Sequence, residues 1–446
     1  MKKTFSTIAL LALSVLAFAA PKGMSLKMVP QAIRIDTYEA FVSANLLIVK
    51  PEAMPESLDA KLFTVQTAGK ERTISGIYRC DEKGTWIADG CCLAFALALD
   101  PSCSPLKYDF TSGRNKWVEA YPVKLSLKEG KSLKIKGTQY TQIECAADDM
   151  MPNFISESDV MSPRAYTYNS ISRAGETTIT AAAYEPWDLR HDGVKNPLVI
   201  WMHGGGEGGT DVRIALMGNE TIALIRPEIQ SHFSSEGGAK GAYVLALQSP
   251  TRWMDTGEGT TYGDVPSMYS DAVKAAIDEY VRQNGDIDPT RIYIGGCSNG
   301  GYMTVNMVLR HPKFFAAAYP VCEAYHNRFI SDEQIAMLAK ENIWFVQSYA
   351  DTTVAPKQFC IPTYERLVKA GAANCWMSMF ENIQGKDIPG AKYLGHFSWV
   401  YVFNDQVTAA QEQVSDSIVP TNNGGGTVAP QGFRNLFDWM NAQKNR

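Results

Sequence analysis

Gly295-Gly-Cys-Ser-Asn-Gly-Gly-Tyr-Met303 sets one serine among four glycines, directly behind the short apolar run Arg291-Ile-Tyr-Ile294. Its core, Gly296 to Gly300, fits G-x-S-x-G. The flanks supply the context that gives the match meaning: strand residues before it, and a helical pattern over Tyr302–Arg310 after it. A serine in such a strand-to-helix turn stands above the edge of a sheet with a helix N-terminus behind it, and small neighbours relieve the crowding. The pentapeptide alone also describes a plain glycine turn. Reading Ser298 as a nucleophile therefore requires a base, an acid and an anion site elsewhere in the chain.

Working outward from the turn, strands and helices alternate from about residue 165 onward. Thr177–Ala183, Leu198–Met202, Ala242–Leu247, Arg291–Ile294, Phe315–Val321, Ile343–Gln347 and Trp376–Phe380 read as strands. Between them, Met268, Ala272, Val273, Ala276, Ile277, Tyr280 and Val281 recur at the spacing of a helix with one buried face, and Pro362–Ala370 reads as helix too. Such alternation predicts an α/β domain, a mostly parallel sheet with helices on both faces, over 165–446. Ser415–Pro430 reads as a loose loop before a last helix at Phe433–Gln443.

In sheets of this kind the chain order is Ser, then Asp or Glu, then His. The six histidines are at 191, 203, 232, 311, 326 and 396. Only His326 and His396 follow the serine at a useful distance, and His396, after the last strand in Gly395-His-Phe-Ser-Trp399, is preferred. Asp351 follows the strand Ile343–Gln347 at its carboxyl end, where such sites form, and is the expected acid. Glu323 is its rival, read otherwise as a surface or substrate-pocket carboxylate. His203-Gly-Gly-Gly-Glu-Gly-Gly209 directly follows Leu198–Met202 and offers backbone N–H groups to an oxyanion. Gly205 and Asn299, the residue after the nucleophile, are the expected donors, and His203 is read as a pin for the loop. There is no G-K-[ST] and no G-x-G-x-x-G with a downstream acid, which argues against a nucleotide site. Trp253 and Trp399 are candidate pocket walls, with an ordinary core role as the alternative; Cys297 is read as a packed small residue.

Trp201–Asp211, Gln248–Asp255, the serine turn and Gly395–Trp399, in this order, resemble secreted α/β-hydrolase esterases that carry an N-terminal immunoglobulin-like domain. These are grouped with the prolyl-oligopeptidase-like and polyhydroxybutyrate-depolymerase-like serine hydrolases. The resemblance covers 165–446 and extends to the N-terminal region in general character only. It implies a carboxylesterase with the triad Ser298, Asp351 and His396, an ester substrate (small-molecule or polymer-linked, acetyl or feruloyl groups included), no metal and no cofactor. Ser348-Tyr-Ala stands where related enzymes often have His-Gly before the acid, and the glycine-rich Asn422–Gly426 stretch has the character of an insertion.

Residues 25–150 read as β-rich: Phe41–Ile48, Arg72–Tyr78, Cys92–Leu99 and Tyr121–Leu127 are separated by Pro, Gly, Asp and Lys clusters, the spacing of a small antiparallel sandwich. This region holds no histidine and no candidate catalytic cluster, so a structural or binding appendage is expected. At the N-terminus, Lys2-Lys3, the apolar Phe5–Phe18 and Ala17-Phe18-Ala19 form the pattern of a signal peptide over 1–20. Its apolar stretch is too short for a membrane anchor, so a secreted or periplasmic protein is expected. The composition, 45% hydrophobic and 20% charged, is that of a globular chain, and a net charge of −5 without a basic run argues against nucleic acid as partner. Nine cysteines in an exported chain predict disulfides. Cys80, Cys91, Cys92 and Cys103 allow three connectivities among themselves, and Cys360 with Cys375 is a further candidate pair. Two rival functions remain open on the sequence: a prolyl-oligopeptidase-like serine peptidase, and a surface glycan-binding protein whose hydrolase domain is inactive.

Overall fold

The structure, a computed structural model, describes residues 23–445 except 170–174, 187–192, 236, 239 and 414–417. The expected signal peptide, His191 and part of the loop at 415–430 lie outside the described residues.

Residues 162–380 build one eight-stranded sheet. Its spatial order is β14 (Ser162–Asn169), β15 (Glu176–Tyr184), β17 (Tyr243–Gln248), β16 (Asn196–Met202), β18 (Ile287–Cys297), β19 (Ala317–Val321), β20 (Ile343–Ser348) and β21 (Cys375–Phe380). β14 and β15 pair antiparallel, β15 pairs antiparallel with β17, and every later pairing is parallel. β16, β17 and β19, and Ile292–Ile294 within β18, read as apolar runs because both faces of the sheet are covered. Alternation decides which side chain goes where: Leu198, Ile200 and Met202 enter one core, Val199 and Trp201 the other. α3 (Ser270–Gln283), α4 (Asn299–Arg310), α5 (Asp332–Leu338) and α6 (Cys360–Lys369) pack on the first face. α1 (Val212–Met217), α2 (Pro227–Gln230), α7 (Trp399–Phe403) and α8 (Leu436–Asn441) pack on the second.

The β-rich region has two sheets and a separate hairpin. The larger runs β10 (Leu133–Ile135), β11 (Thr138–Glu144), β1 (Met24–Tyr38), β2 (Phe41–Pro51), β6 (Cys92–Leu97), β5 (Ile74–Cys80), with β13 (Phe154–Ile155) also pairing β1. The smaller runs β12 (Ala146–Ala147), β9 (Val123–Leu127), β3 (Phe63–Thr67), β4 (Lys70–Arg72). β7 (Leu106–Asp109) and β8 (Arg114–Trp117) form the hairpin. Two expectations change here. β1 pairs in parallel with β11 and β13, so the region is not purely antiparallel: the 15-residue β1 is long enough to take different partners at its two ends. Its strands also run on to Ile155, beyond the expected limit at 150.

Nor is the region a detached appendage, because one continuous core joins Leu26, Phe63, Phe95 and Tyr121 to Trp201, Tyr319 and Trp439. Glu39, fully buried in the β1–β2 turn, reaches across to the segment that carries His396. Its carboxylate accepts from Lys386 N (2.6 Å), Asn404 Nδ2 (2.7 Å) and Tyr393 Oη (2.8 Å). Arg226, at the head of α2, pairs with Glu157 (2.6 Å) and donates to Thr37 O (2.9 Å) across the same boundary.

The expected disulfides are not formed: all nine cysteines are free. Cys360 lies in the first turn of α6 while Cys375 starts β21 beyond the helix's far end. That separates them by about 13 Å of helix rise, well past the reach of a disulfide. Near the N-terminus Cys80 stands opposite Cys92 across the β5–β6 ladder, Cys91 is exposed, and the Cys103 thiol donates to Asp100.

Candidate active site

β18, β20 and β21 are parallel, so the segments that follow them emerge at one edge of the sheet, and the three candidate triad residues follow these strands. Ser298 is the first of them. It is half-buried and sits between β18 and α4 at φ 55, ψ −112, outside the regions that a serine ordinarily occupies. Its N–H donates to Val321 O (2.8 Å), the end of β19. This bond holds the turn against the sheet and leaves the side chain to stand above it. The next residue but one must be glycine: a Cβ on Gly300 would overlap the carbonyl oxygen of Met202, where β16 and α4 cross closely.

Asp351 is buried and doubly oriented. Oδ1 accepts from Thr353 N (2.8 Å) and Val354 N (2.9 Å), and Oδ2 is bonded to His396 Nδ1 (2.8 Å). With Nδ1 so used, Nε2 is left for a hydroxyl. Among the described residues no hydrogen bond of the Ser298 hydroxyl is seen; Asp351 and His396 are joined, and Ser298 follows β18, two strands from β20 at the same edge of the sheet. The histidine loop can approach because position 395 lacks a side chain; a Cβ there would overlap the backbone carbonyl of Ala350. Gly395→Ala is accordingly expected to push the imidazole off Asp351 and lower kcat about 100-fold, the cost of roughly 1 Å of misplacement. A Gly395→Ala enzyme with wild-type kcat would show that the loop has slack the structure does not display.

The glycine loop lies beside the serine turn. A Cβ on Gly205 would sit 4.0 Å from Asn299 Cβ and 3.6 Å from Arg252 Nε, so the two expected donor segments are adjacent and a guanidinium flanks them. Gly205 opens a 3₁₀ turn and Asn299 opens α4, so each contributes an N–H from the first position of a helical turn, where no intrahelical acceptor exists. His203 pins the loop, as expected. Its Nδ1 donates to Gly204 O (2.5 Å) and its Nε2 accepts from Ser249 N (3.1 Å), which defines a neutral tautomer. Complete burial pushes its pKa down to about 4.

The three candidate substrate contacts are all buried. Trp253 is fully buried: its indole donates to His203 O (3.1 Å) and its N–H to Asn299 Oδ1 (2.6 Å), tying the glycine loop to the serine turn. Trp399 is buried against Phe397, its ring 6.1 Å from the His396 ring. Both are therefore supports behind the site and not walls open to a substrate. Glu323, the rival acid, is buried too, its Oε2 accepting from Tyr325 N (2.6 Å) and its Oε1 without a hydrogen-bond partner among the described residues. His326 stays apart, packed on Phe359 at 4.9 Å. Cys297 is buried, as expected, with Gly204 beside its sulfur. Sequence reasoning did not single out Cys322, buried at φ 37 between Val321 and Glu323, or Asn115, whose side chain meets Glu207.

Burial raises the pKa of Glu323 from 4.5 to about 8 and that of Glu207 to about 7. A carboxyl whose pKa is raised by folding holds its proton more tightly folded than unfolded. Its contribution to stability is therefore present below pH 4.5 and lost as pH rises toward the folded value. His203 acts oppositely below pH 6.5, so the difference between variant and wild type isolates one group. Glu323→Gln is expected to match wild type near pH 4.5 and to exceed it by up to about 4–5 kcal/mol at pH 8.5. Urea melts at the two pH values measure this; equal differences at both would mean that Glu323 ionises normally.

A model of the prolyl oligopeptidase family (peptidase S9) matches residues 251–358, a stretch that holds both Ser298 and Asp351. Among solved structures, a thermostable esterase is 20% identical over 86% of this chain and 97% of its own, with a TM-score of 0.66. A ferulic acid esterase is 13% identical over 55% of this chain and 94% of its own, with a TM-score of 0.38. The acylaminoacyl peptidase of Pyrococcus horikoshii is 14% identical over 81% of this chain and 68% of its own, with a TM-score of 0.35. No curated protein matches the sequence. The chain has an α/β-hydrolase fold, and it is a serine hydrolase.

Proposed function

We propose that this serine hydrolase is an exported carboxylesterase that works through an acyl-enzyme on Ser298. The observation that carries the reading is the 2.8 Å bond between His396 Nδ1 and Asp351 Oδ2, set at the strand ends beside a serine held at φ 55. Ser298 Oγ attacks the ester carbonyl as His396 Nε2 takes its proton, and Asp351 holds the imidazole tautomer and stabilises the imidazolium. The N–H groups of Gly205 and Asn299 receive the oxyanion, with Arg252 adding positive charge nearby. The imidazolium protonates the leaving alcohol. Water, activated by the same imidazole, then releases the acid and restores the serine. The protein that shares this architecture over 97% of its length is described as an esterase, which supports an ester substrate.

The prolyl oligopeptidase match at 251–358 favours a second reading, hydrolysis of a peptide bond. A p-nitrophenyl acyl series from C2 to C12, run beside a proline-peptide anilide, separates the two. Ester turnover with the anilide untouched supports the esterase; the reverse makes the chain a peptidase. Turnover of neither by a folded protein sinks both readings and points to a binding role for residues 25–150. Export belongs to the same proposal and rests on the 1–20 pattern; a mature N-terminus other than Ala20 or Pro21 would count against that cleavage.

A further inference from the structure

The β7–β8 hairpin belongs to neither sheet of the N-terminal region, yet it ends against the glycine loop. Asn115 Nδ2 donates to Glu207 Oε1. Arg114 Nη1 donates to Thr251 O (2.6 Å), and Trp117 Nε1 donates to Asp211 Oδ2 (2.8 Å), the residue that caps α1. The hairpin therefore grips the 203–211 loop at its middle and its end, together with the segment whose Trp253 holds Asn299. The fit is close. A Cβ on Gly206 would lie 3.3 Å from Asn115 Nδ2 and 3.4 Å from Tyr108 Cε2, and one on Gly208 would overlap Thr251 O and Arg114. These glycines leave the room that the hairpin fills.

Glu207 is the single charged residue of the Gly204–Gly209 run, and it is buried. Among the described residues its Oε2 has no hydrogen-bond partner, and the amide of Asn115 is the side-chain donor to the carboxyl. Its backbone carbonyl accepts from Gln248 Nε2 (2.8 Å), which fixes the other side. Gly205 and Glu207 are the two ends of one 3₁₀ turn. The Glu207 N–H donates to Gly204 O (3.5 Å), and that carbonyl shares its peptide plane with the Gly205 N–H, so a shift of Glu207 is passed to the Gly205 N–H.

We propose that Asn115 is a positioning residue: by holding Glu207 it aims the Gly205 N–H, so that the N-terminal region completes the oxyanion site. The inference rests on the acyl-enzyme reading above for its kinetic consequence, and on the loop alone for its structural one. The test uses the full-length protein at pH 8.5 with p-nitrophenyl acetate. Asn115→Leu, which keeps the volume and removes the donor, and Asn115→Asp, which opposes two carboxylates, are each expected to lower kcat about 10- to 100-fold with KM within about threefold. Adding Glu207→Gln to Asn115→Asp exchanges amide and carboxylate across the contact, and is expected to return kcat to within about threefold of wild type. A merely structural hairpin would lower Tm in all three variants without this loss and rescue.

Hydrogen exchange over residues 203–211 is read in parallel: faster in the single variants, restored in the double. Wild-type kcat in both single variants, or a double variant no better than Asn115→Asp, overturns the proposal. If the wild type turns over no ester, the esterase reading fails by itself and the exchange data still decide. Unchanged exchange in Asn115→Leu would then overturn the brace.

Discussion

Ser298→Ala is expected to lower kcat for ester hydrolysis about a million-fold while leaving the protein folded. The size follows from what the residue supplies. Without Oγ no acyl-enzyme forms, and the turnover that remains comes from water bound near the same N–H donors. The absence of a folding penalty follows from the geometry. The side chain is half-buried, with no hydrogen bond among the described residues, and the bond that anchors the turn, Ser298 N to Val321 O at 2.8 Å, uses the backbone. The turn itself carries strain, since φ 55 with ψ −112 costs a residue with a Cβ about 1–3 kcal/mol. Ser298→Gly should release that strain. It is expected to be as inactive as Ser298→Ala yet more stable than wild type by about 1 kcal/mol. Rates and urea midpoints of the two variants check both halves. A Ser298→Ala protein that hydrolyses p-nitrophenyl acetate at more than about a hundredth of the wild-type rate would place the nucleophile elsewhere.

Asp351→Asn is expected to lower kcat about 10⁴-fold with little change in KM. The carboxylate now accepts from Thr353 N, Val354 N and the imidazole Nδ1. In the variant the amide oxygen can stay with the two backbone donors, which leaves the NH₂ facing His396. An NH₂ cannot accept, so the imidazole must present Nδ1 as the acceptor and carry its proton on Nε2, the atom that should receive one from Ser298. The base is present but in the wrong tautomer. Glu323 cannot substitute, because its Oε2 is committed to Tyr325 N and burial holds it largely protonated at neutral pH. Retention of more than about a tenth of wild-type kcat would mean that the bond to Asp351 orients nothing that matters.

The catalytic half of the chain was legible to different depths. The strand runs Leu198–Met202, Ile343–Gln347 and Trp376–Phe380 each lie within observed strands, and the helix expected over Met268–Val281 runs from Ser270 to Gln283. β14 was missed: Ser162–Asn169 is an edge strand whose burial alternates along its length, and it lacks the apolar run that marks the buried strands. The last helix spans Leu436–Asn441, shorter than the expected Phe433–Gln443. Asp351 and His396 were chosen because the order of a triad along such a sheet restricts the choice, and the structure brings these two into contact. Trp253, Trp399 and Glu323 stayed open between a pocket and a core role, because an aromatic or acidic side chain near a motif looks alike whether it lines the cleft or supports it; all three are buried.

What this sequence determined by itself is whatever is written in short spacing: the alternation of strand and helix, the tight turn around Ser298, and the glycines that admit close backbone approach. Those signals are local, since φ/ψ preference and apolar periodicity act within a turn or a strand. The tertiary structure alone decided the rest. It joined the β-rich region to the sheet through one core, set Glu39 under the segment carrying His396, brought Asn115 to Glu207, and left Cys360 and Cys375 apart. Asn115 and Glu207 are 92 residues apart in sequence. No local preference acts over that span. Their contact exists because burying the shared core holds both regions in register, and a buried carboxyl so placed requires a donor.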